Sequence, residues 1–278
     1  MSLELLPGDC FAHILAFASP RDACRCSVVS PGIRSLTDSD AVWDNFLPYD
    51  YREIIARMVT PDVFRSKKEI FMKLCEPLLI DGGTKTFWID KSTGKKCYRL
   101  NAKHLSITLA ENPLFWSWKP HPQSRFSEVA ELRTIWWLEI KGMVKTIMLS
   151  PDTLYGVYLI LQLADRAYGL DCLASEIILE FGSFKLLGTV HLCRYRCKEQ
   201  VGDCTSHRNR NRMLGSSLPE GMPCEREDGW MEVEIGAFYR NHGGDEDQNV
   251  KICLREIKGQ HLKGGLIVEG LEIRPKLF

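Results

Sequence analysis

The chain has 278 residues, of which 45% are hydrophobic and 26% are charged, a composition typical of a folded protein with one or two domains. Lys plus Arg and Asp plus Glu each number 36, so the formal net charge is zero. A neutral chain has no net field that would attract nucleic acid or an anionic membrane, and we expect neither as a partner.

The sequence carries no visible signal for export or membrane insertion. Its first ten residues lack the basic and apolar regions of a secretory signal, and the most apolar run, LYGVYLILQLA, is too short to cross a bilayer. Its eleven cysteines are an odd number without framework spacing, which favours reduced thiols. We therefore expect a protein of the nucleus and cytoplasm.

Residues 1–48 predict three short helices. The first helix carries one apolar stripe at helical spacing, formed by Phe11, Ile14, Leu15 and Ala18. Ser19 before Pro20 is an N-cap signal for the second helix, which we expect to end at Pro31, and Ser39 is expected to cap the third. Because helices this short are unstable alone, they need one another, and a partner, to bury their apolar faces.

Residues 49–77 predict a helical linker. Ser66 followed by Glu69 is a capping-box pattern before an apolar helical run. The charge also changes sign here: residues 1–50 hold seven acidic and three basic side chains, whereas residues 51–100 hold six acidic and eleven basic ones. This change indicates a junction between two units.

From residue 78 onward the apolar period changes from that of a helix to that of a strand. KTFWIDKSTGKKCYRL predicts a hairpin with Gly94 in its turn, and WMEVEIG alternates apolar and acidic residues as a half-exposed strand does. TIWWLEIKG and LYGVYLILQLA are two of several further predicted strands. The fold class is thus α+β multidomain, a short helical region followed by an all-β sandwich or jelly roll.

Two stretches resemble known families. LLPGDCFAHILAFASPRDACRCSVVSPGIRSLTDSDAVWDNFLP is similar to an F-box, and NAKHLSITLAENPLFWSWKPHPQSRFSEVAELRTIWWLEIKG, with DGWMEVEIGAFY and KGGLIVEGLEIRPK, is similar to the phloem protein 2 lectins, the tobacco-agglutinin-like group. Together they resemble the plant F-box/phloem-lectin architecture. The resemblance implies an F-box at residues 1–48, the linker at 49–77 and a phloem-lectin-like sandwich at 78–278.

This resemblance implies the substrate-recognition subunit of a cullin-RING (SCF-type) ubiquitin ligase. The F-box would dock on a Skp-type adaptor, and through it on a cullin scaffold, while the lectin-like domain binds a target protein or a glycoprotein carrying N-glycan or N-acetylglucosamine. The predicted adaptor contacts are Leu6, Pro7, Ile14, Leu15, Val28 and Trp43. The alternative is that these residues form the internal core of the helical unit, since both uses require apolar side chains.

The segment NPLFWSW is similar to the sugar-binding element of the lectin family, and its Trp116 corresponds to the sugar-facing tryptophan. An indole can stack on the C–H face of a pyranose. The predicted carbohydrate site is Trp116, Leu109, Glu111 and Phe115. Leu109 stands where the family has a second tryptophan, and Glu111 where it has Asp. Two alternatives stay open: the fold recognises a protein surface without a sugar site, or Trp116 and Trp118 are only core residues.

No catalytic, metal or cofactor site is expected. Glu232 and Glu234 lie two residues apart on one strand, about 7 Å apart on the same face, so they do not oppose each other across a cleft. The cysteines and histidines around His191 and Cys193 lack a tight zinc-binding spacing. We therefore predict a non-catalytic protein whose partners carry out the ubiquitin chemistry.

Overall fold

The helices come first in the chain and the strands follow. The computed structural model describes residues 6–193, 221–241 and 248–276. Its α-helices are α1 (Gly8–Ala16), α2 (Pro20–Cys26), α3 (Pro31–Thr37), α4 (Asp40–Asp44), α5 (Tyr51–Ala56) and α6 (Lys67–Leu74). The first strand begins at Leu78, and the α+β class predicted from the sequence is confirmed.

Serine side chains begin three of these helices. Ser19 Oγ accepts a hydrogen bond from the N–H of Asp22 at 3.1 Å, and Ser66 Oγ accepts one from Glu69 at 3.2 Å, as predicted. The prediction that Pro31 ends a helix was wrong. Ser30 caps α3 and Pro31 is its first residue, so residues 6–48 contain four α-helices rather than three.

The strands form two antiparallel sheets. They are β1 (Leu78–Ile80), β2 (Lys85–Ile89), β3 (Lys96–Asn101), β4 (Ser106–Ile107), β5 (Trp116–Lys119), β6 (Val129–Leu132), β7 (Leu138–Lys145), β8 (Thr153–Tyr168), β9 (Ser175–Phe181), β10 (Phe184–Val190), β11 (Cys224–Glu225), β12 (Met231–Arg240), β13 (Asn249–Glu256) and β14 (Gly264–Pro275). The first sheet runs β1-β2-β3-β14-β8-β12-β11, with β6 paired to β14 and β5 to β6; the second runs β10-β9-β13-β7-β4.

Local patterns predicted two strand features correctly. β2 and β3 form the expected hairpin, with Phe87 opposite Tyr98 and Gly94 at a φ of +70° in the connecting turn. In β12, Met231 and Val233 are buried whereas Glu234 is exposed, so the alternation places one face on the core.

The central strand β8 is apolar on both faces because each face packs on a different cluster. Its inner face lies in the main core between the sheets. On the outer face, a second cluster is formed by Val129, Tyr158, Ile160, Trp230 and Ile267. The loop between β5 and β6 covers this second cluster: the Trp230 indole N–H donates to the carbonyl of Gln123 at 3.2 Å.

The outer face of the first sheet also carries a buried ion network. Its charged side chains are Arg99, Arg226, Glu232, Glu269, Glu272 and Arg274. Glu272 is the central acceptor, with its carboxylate 2.5 Å from Arg99, 2.5 Å from Arg274 and 3.3 Å from Arg226. Burial alone would raise the pKa of Glu272, but the arginines outweigh it and hold this pKa below its usual value.

The helical segment and the sandwich share one core. Phe71 and Leu74 of α6 belong to the same buried cluster as Ile80 and Phe87 of the first sheet. The backbone N–H of Val59 also donates to the carbonyl of Leu79 at 3.0 Å. Within the described ranges, no helix has the length and apolar content needed to cross a membrane.

Candidate functional site

Apolar side chains lie exposed near the ends of α1 and α2. The exposed fractions are 50% for Ile14, 83% for Phe17, 84% for Val28 and 69% for Val29. A side chain of this kind gains little from the fold of its own chain, because half or more of its area stays in water. This group, called here the exposed apolar set, is the part of the helical segment best suited to contact another protein.

The predicted adaptor contacts divide into surface and core residues. Pro7, Ile14 and Val28 are exposed and Leu6 is half-buried, which leaves these four accessible to a partner. Phe17 and Val29 were not predicted, although Phe17 follows Ile14 by three positions and therefore lies on the same side of α1.

Leu15 and Trp43 require a correction, because the structure places both in the core. Leu15 is 5% exposed and Trp43 1%. The Trp43 indole N–H donates to the carbonyl of Thr37 at 2.7 Å, and its ring lies 5.3 Å from that of Phe71. These contacts occupy the indole within the chain, so neither residue offers a surface to an adaptor.

The segment predicted to bind sugar contains a buried tryptophan. Trp116 in β5 is 1% exposed, and its indole N–H donates to the carbonyl of Thr108 at 2.9 Å. Trp118 is half-buried on the same inner face, with its N–H donating to Ala110 at 3.1 Å. The prediction that Trp116 presents a face to a pyranose is therefore corrected: the strand turns that face to the core.

The other three residues of the predicted carbohydrate site lie at the surface, in the turn before β5. Glu111 is exposed, Leu109 is 48% exposed and Phe115 is half-buried. Leu109 has a φ of +58°, in the left-handed region that a leucine rarely adopts. The structure thus brings Leu109, Glu111 and Phe115 into one surface turn without the indole that was expected to complete the site.

Two exposed indoles that were not predicted as site residues precede β7, and one of them lies beside this turn. Trp136 is 55% exposed and Trp137 49%. The Trp136 ring contacts that of Phe115 edge-on, with 6.4 Å between the centroids. The sequence pattern assigned both tryptophans to a strand, whereas β7 begins only at Leu138. A strand alternates its faces, so two adjacent tryptophans could not both have faced the core, and this was the signal for an exposed site.

The carboxylates of β12 are held in ion pairs. The Glu232 carboxylate lies 2.5 Å from Arg226 and 2.7 Å from Arg274, and Glu234 lies 2.5 Å from Lys276. In residues 6–193, 221–241 and 248–276, no group of three or more His, Cys, Asp or Glu side chains is arranged to hold a metal ion. Cys197, Cys204 and His207, which the sequence placed near His191 and Cys193, lie outside the described residues.

Comparison with known proteins gives two family matches. The F-box domain model matches residues 3–45, and the phloem protein 2 model matches residues 95–275. Three relatives come from Arabidopsis thaliana. F-box protein PP2-B15 is 42% identical over 98% of this chain and 96% of its own length. F-box protein PP2-B13 is 41% identical over 98% of this chain and 99% of its own length. F-box protein VBF is 41% identical over 99% of this chain and 100% of its own length.

The two domains together support the role of an F-box substrate adaptor. An F-box domain implies binding to a Skp-type adaptor, and F-box proteins are generally non-catalytic subunits. The exposed apolar set lies in the matched F-box, and the two-sheet sandwich contains the matched phloem protein 2 residues. The chain therefore belongs to the family of F-box proteins that carry a phloem protein 2 domain.

Proposed function

We propose that this chain is the substrate-recognition subunit of an SCF-type cullin-RING ubiquitin ligase. Its F-box binds a Skp-type adaptor and, through the adaptor, a cullin scaffold, while the sandwich selects the protein to be modified. The observation that carries the proposal is the exposed apolar set within the residues that match the F-box. In this role the chain works in the nucleus and cytoplasm, and its partners transfer the ubiquitin.

A protein surface is the kind of target that the sandwich favours. The residue expected to stack on a sugar, Trp116, is 1% exposed and hydrogen-bonded inside the fold. Stacking on a pyranose needs an open aromatic face, which this indole lacks. The sandwich then serves as a scaffold whose outer surface, rather than the indole of Trp116, contacts the target.

The adaptor half is tested with two matched valine variants. Val28 is 84% exposed in the F-box, and Val63 is 89% exposed in the linker. In Val28→Asp, burying a new charge at the interface should weaken binding to the purified Skp-type adaptor at least about tenfold by calorimetry. Val63→Asp should bind like the unchanged chain. Equal binding by all three proteins would contradict the proposed interface.

Glycan binding is the second candidate function, and the exposed indole of Trp136 beside Phe115 favours it. The test is a titration with N-acetylglucosamine oligomers and a high-mannose glycan, followed by tryptophan fluorescence. Saturable binding that is lost in Trp136→Ala, but kept in Tyr239→Ala, would establish a sugar platform. Tyr239 is a suitable control because it is 46% exposed on β12. Absence of binding in the unchanged chain would leave the protein-surface function alone.

A further inference from the structure

A groove of about 560 Å³ crosses the outer face of the first sheet, over β5, β6, β14 and the end of β8. Its lining includes Ser117, Lys119, Glu131, Arg133, Arg166 and Tyr168. Ser117 pairs with Glu131, and Glu131 with Ile267 of the outer cluster, so these side chains project away from the main core. The volume is in the range of known ligand sites.

One lining residue, Gly265, has no side chain, and this allows β14 to pack closely on β8. Gly265 has a φ of +81°, and a Cβ there would lie 2.6 Å from Cα of Ala167. Tyr168, which is 45% exposed, borders the groove beside Arg133: its hydroxyl donates to the Arg133 carbonyl at 3.2 Å. The groove therefore contains an aromatic ring that is held next to an arginine.

The groove has an excess of positive charge. Lys119 is paired with Glu131, which leaves the guanidinium groups of Arg133 and Arg166. Both arginines are exposed, and no carboxylate of the described residues lies within ion-pair distance of either. Guanidinium groups bind carboxylate and phosphate groups through paired N–H bonds. Two arginines in one groove that have no carboxylate partner among the described residues therefore favour an anionic ligand.

We propose that this groove binds an acidic segment of the target protein. Arg133 and Arg166 bind its carboxylate or phosphate side chains, and Tyr168 packs against a neighbouring apolar side chain. Ser117 and Glu131 supply oxygen acceptors for peptide N–H groups, which a nucleic acid backbone lacks, and a neutral chain does not attract nucleic acid. The proposal rests on the substrate-adaptor function and names the chemistry that selects the target.

The test begins with selection of random phage-displayed peptides on the full chain bound to its adaptor. The same library is selected on the double variant Arg133→Gln/Arg166→Gln and on a control, Lys251→Gln, which removes an exposed cation from β13 on the other sheet. Peptides enriched in Asp and Glu beside an apolar residue are expected on the unchanged chain and on the control. The double variant should lose this enrichment.

Synthetic versions of the selected peptide then give the affinity by fluorescence anisotropy. Double substitution should weaken binding at least about tenfold, and added salt should weaken it further. Replacing each acid by phosphoserine should preserve binding, and replacing it by glutamine should abolish it. A galacturonate oligomer serves as the acidic-glycan probe and should bind more weakly than the peptide.

Three results would overturn the proposal: selected peptides without acidic enrichment, equal affinity for the double variant, or preference for galacturonate over every peptide. The thermal unfolding midpoint of the double variant should equal that of the unchanged chain, because both arginines are exposed. Adaptor binding is measured on each variant as well. If the unchanged chain does not bind the adaptor, the proposed function is refuted. If the double variant still binds the adaptor but no longer binds the peptide, the effect of the substitutions lies in the groove.

Discussion

Nζ of Lys96 lies 2.6 Å from Oδ1 of Asp50, joining the first sheet to the residue that precedes α5. The Lys96 side chain is 2% exposed, and the ring of Tyr49 lies 4.9 Å from its ammonium group. Burial lowers the pKa of Lys96, and the Asp50 carboxylate partly opposes that change. The fold thus holds a buried ammonium group whose one carboxylate partner among the described residues is Asp50.

Breaking this pair should be costly. Asp50→Asn leaves an unpaired buried ammonium group, and we expect a loss of about 3 kcal/mol in the free energy of unfolding, measured with urea. The double variant Asp50→Leu/Lys96→Met removes both charges and should recover most of that loss. If the double variant is less stable than Asp50→Asn, this explanation is wrong. The ion pair would then stabilise the fold, and the loss in Asp50→Asn would not come from leaving the Lys96 charge without its carboxylate.

The pair between Arg57 and Asp81 should make stability depend on pH. Its two hydrogen bonds measure 2.7 and 2.8 Å, and they hold the pKa of Asp81 well below its usual value. Because the pKa of Asp81 is lower in the folded state, its ionised form stabilises the fold at pH values above the pKa of the unfolded chain, near 3.9. This stability is lost as the pH falls toward the pKa of the folded state. Arg57→Gln should cost about 1 kcal/mol at neutral pH, after allowing for solvent screening, and less in acid.

The control for this effect is Arg52→Gln. Arg52 is an exposed cation five residues earlier in the same segment, and its guanidinium donates a hydrogen bond to the hydroxyl of Tyr51. Urea unfolding across the acid range should show a stability difference for Arg57→Gln that narrows as Asp81 gains its proton. The difference for Arg52→Gln should stay small throughout. A constant difference for Arg57→Gln would contradict the role of Asp81.

The two buried glutamates of the ion network should respond differently to neutralisation. Glu272 contacts three arginines, so Glu272→Gln leaves excess positive charge and should cost about 3 kcal/mol. Glu269 contacts Arg99 at 2.8 Å, and burial raises its pKa. Glu269→Gln should cost about 1 kcal/mol or less, since an amide can still accept hydrogen bonds. Equal losses in urea unfolding would show that the network does not depend on Glu272.

Backbone strain at Leu109 gives a stabilising substitution. A leucine at a φ of +58° costs about 1 kcal/mol, which glycine avoids. Glycine also increases the entropy of the unfolded chain, which offsets part of this gain. Leu109→Gly should therefore raise the free energy of unfolding by a few tenths to about 1 kcal/mol. Leu114→Gly is the control: Leu114 is 71% exposed without a positive φ, and this change should not stabilise the protein.

Sequence patterns predicted the features that depend on neighbouring residues. The caps at Ser19 and Ser66 and the turn at Gly94 each rest on a few consecutive positions, and the structure contains all three. Pro31 shows the limit of such signals, because proline both ends helices and starts them. Only the serine before it, which caps α3, distinguishes the two uses.

The site depended on contacts between distant residues, which the sequence could not supply. Alternation correctly placed Trp116 and Trp118 on one face of a strand, but it could not say whether that face met the core or the solvent. The same holds for the groove. Arg133 and Arg166 lie 33 positions apart in the sequence, and the pairing of β6 and β8 with β14 brings them to one surface.

The shared core of the helices and the sandwich fixes the orientation of the helical segment relative to the sandwich. Because Phe71 and Leu74 of α6 pack in the same cluster as Ile80 and Phe87 of the first sheet, α6 does not act as a flexible linker. A protein bound to the sandwich would therefore keep a fixed orientation relative to the helical segment. In the proposed ligase, this fixed orientation would determine which lysines of the target come within reach of the enzyme that transfers ubiquitin.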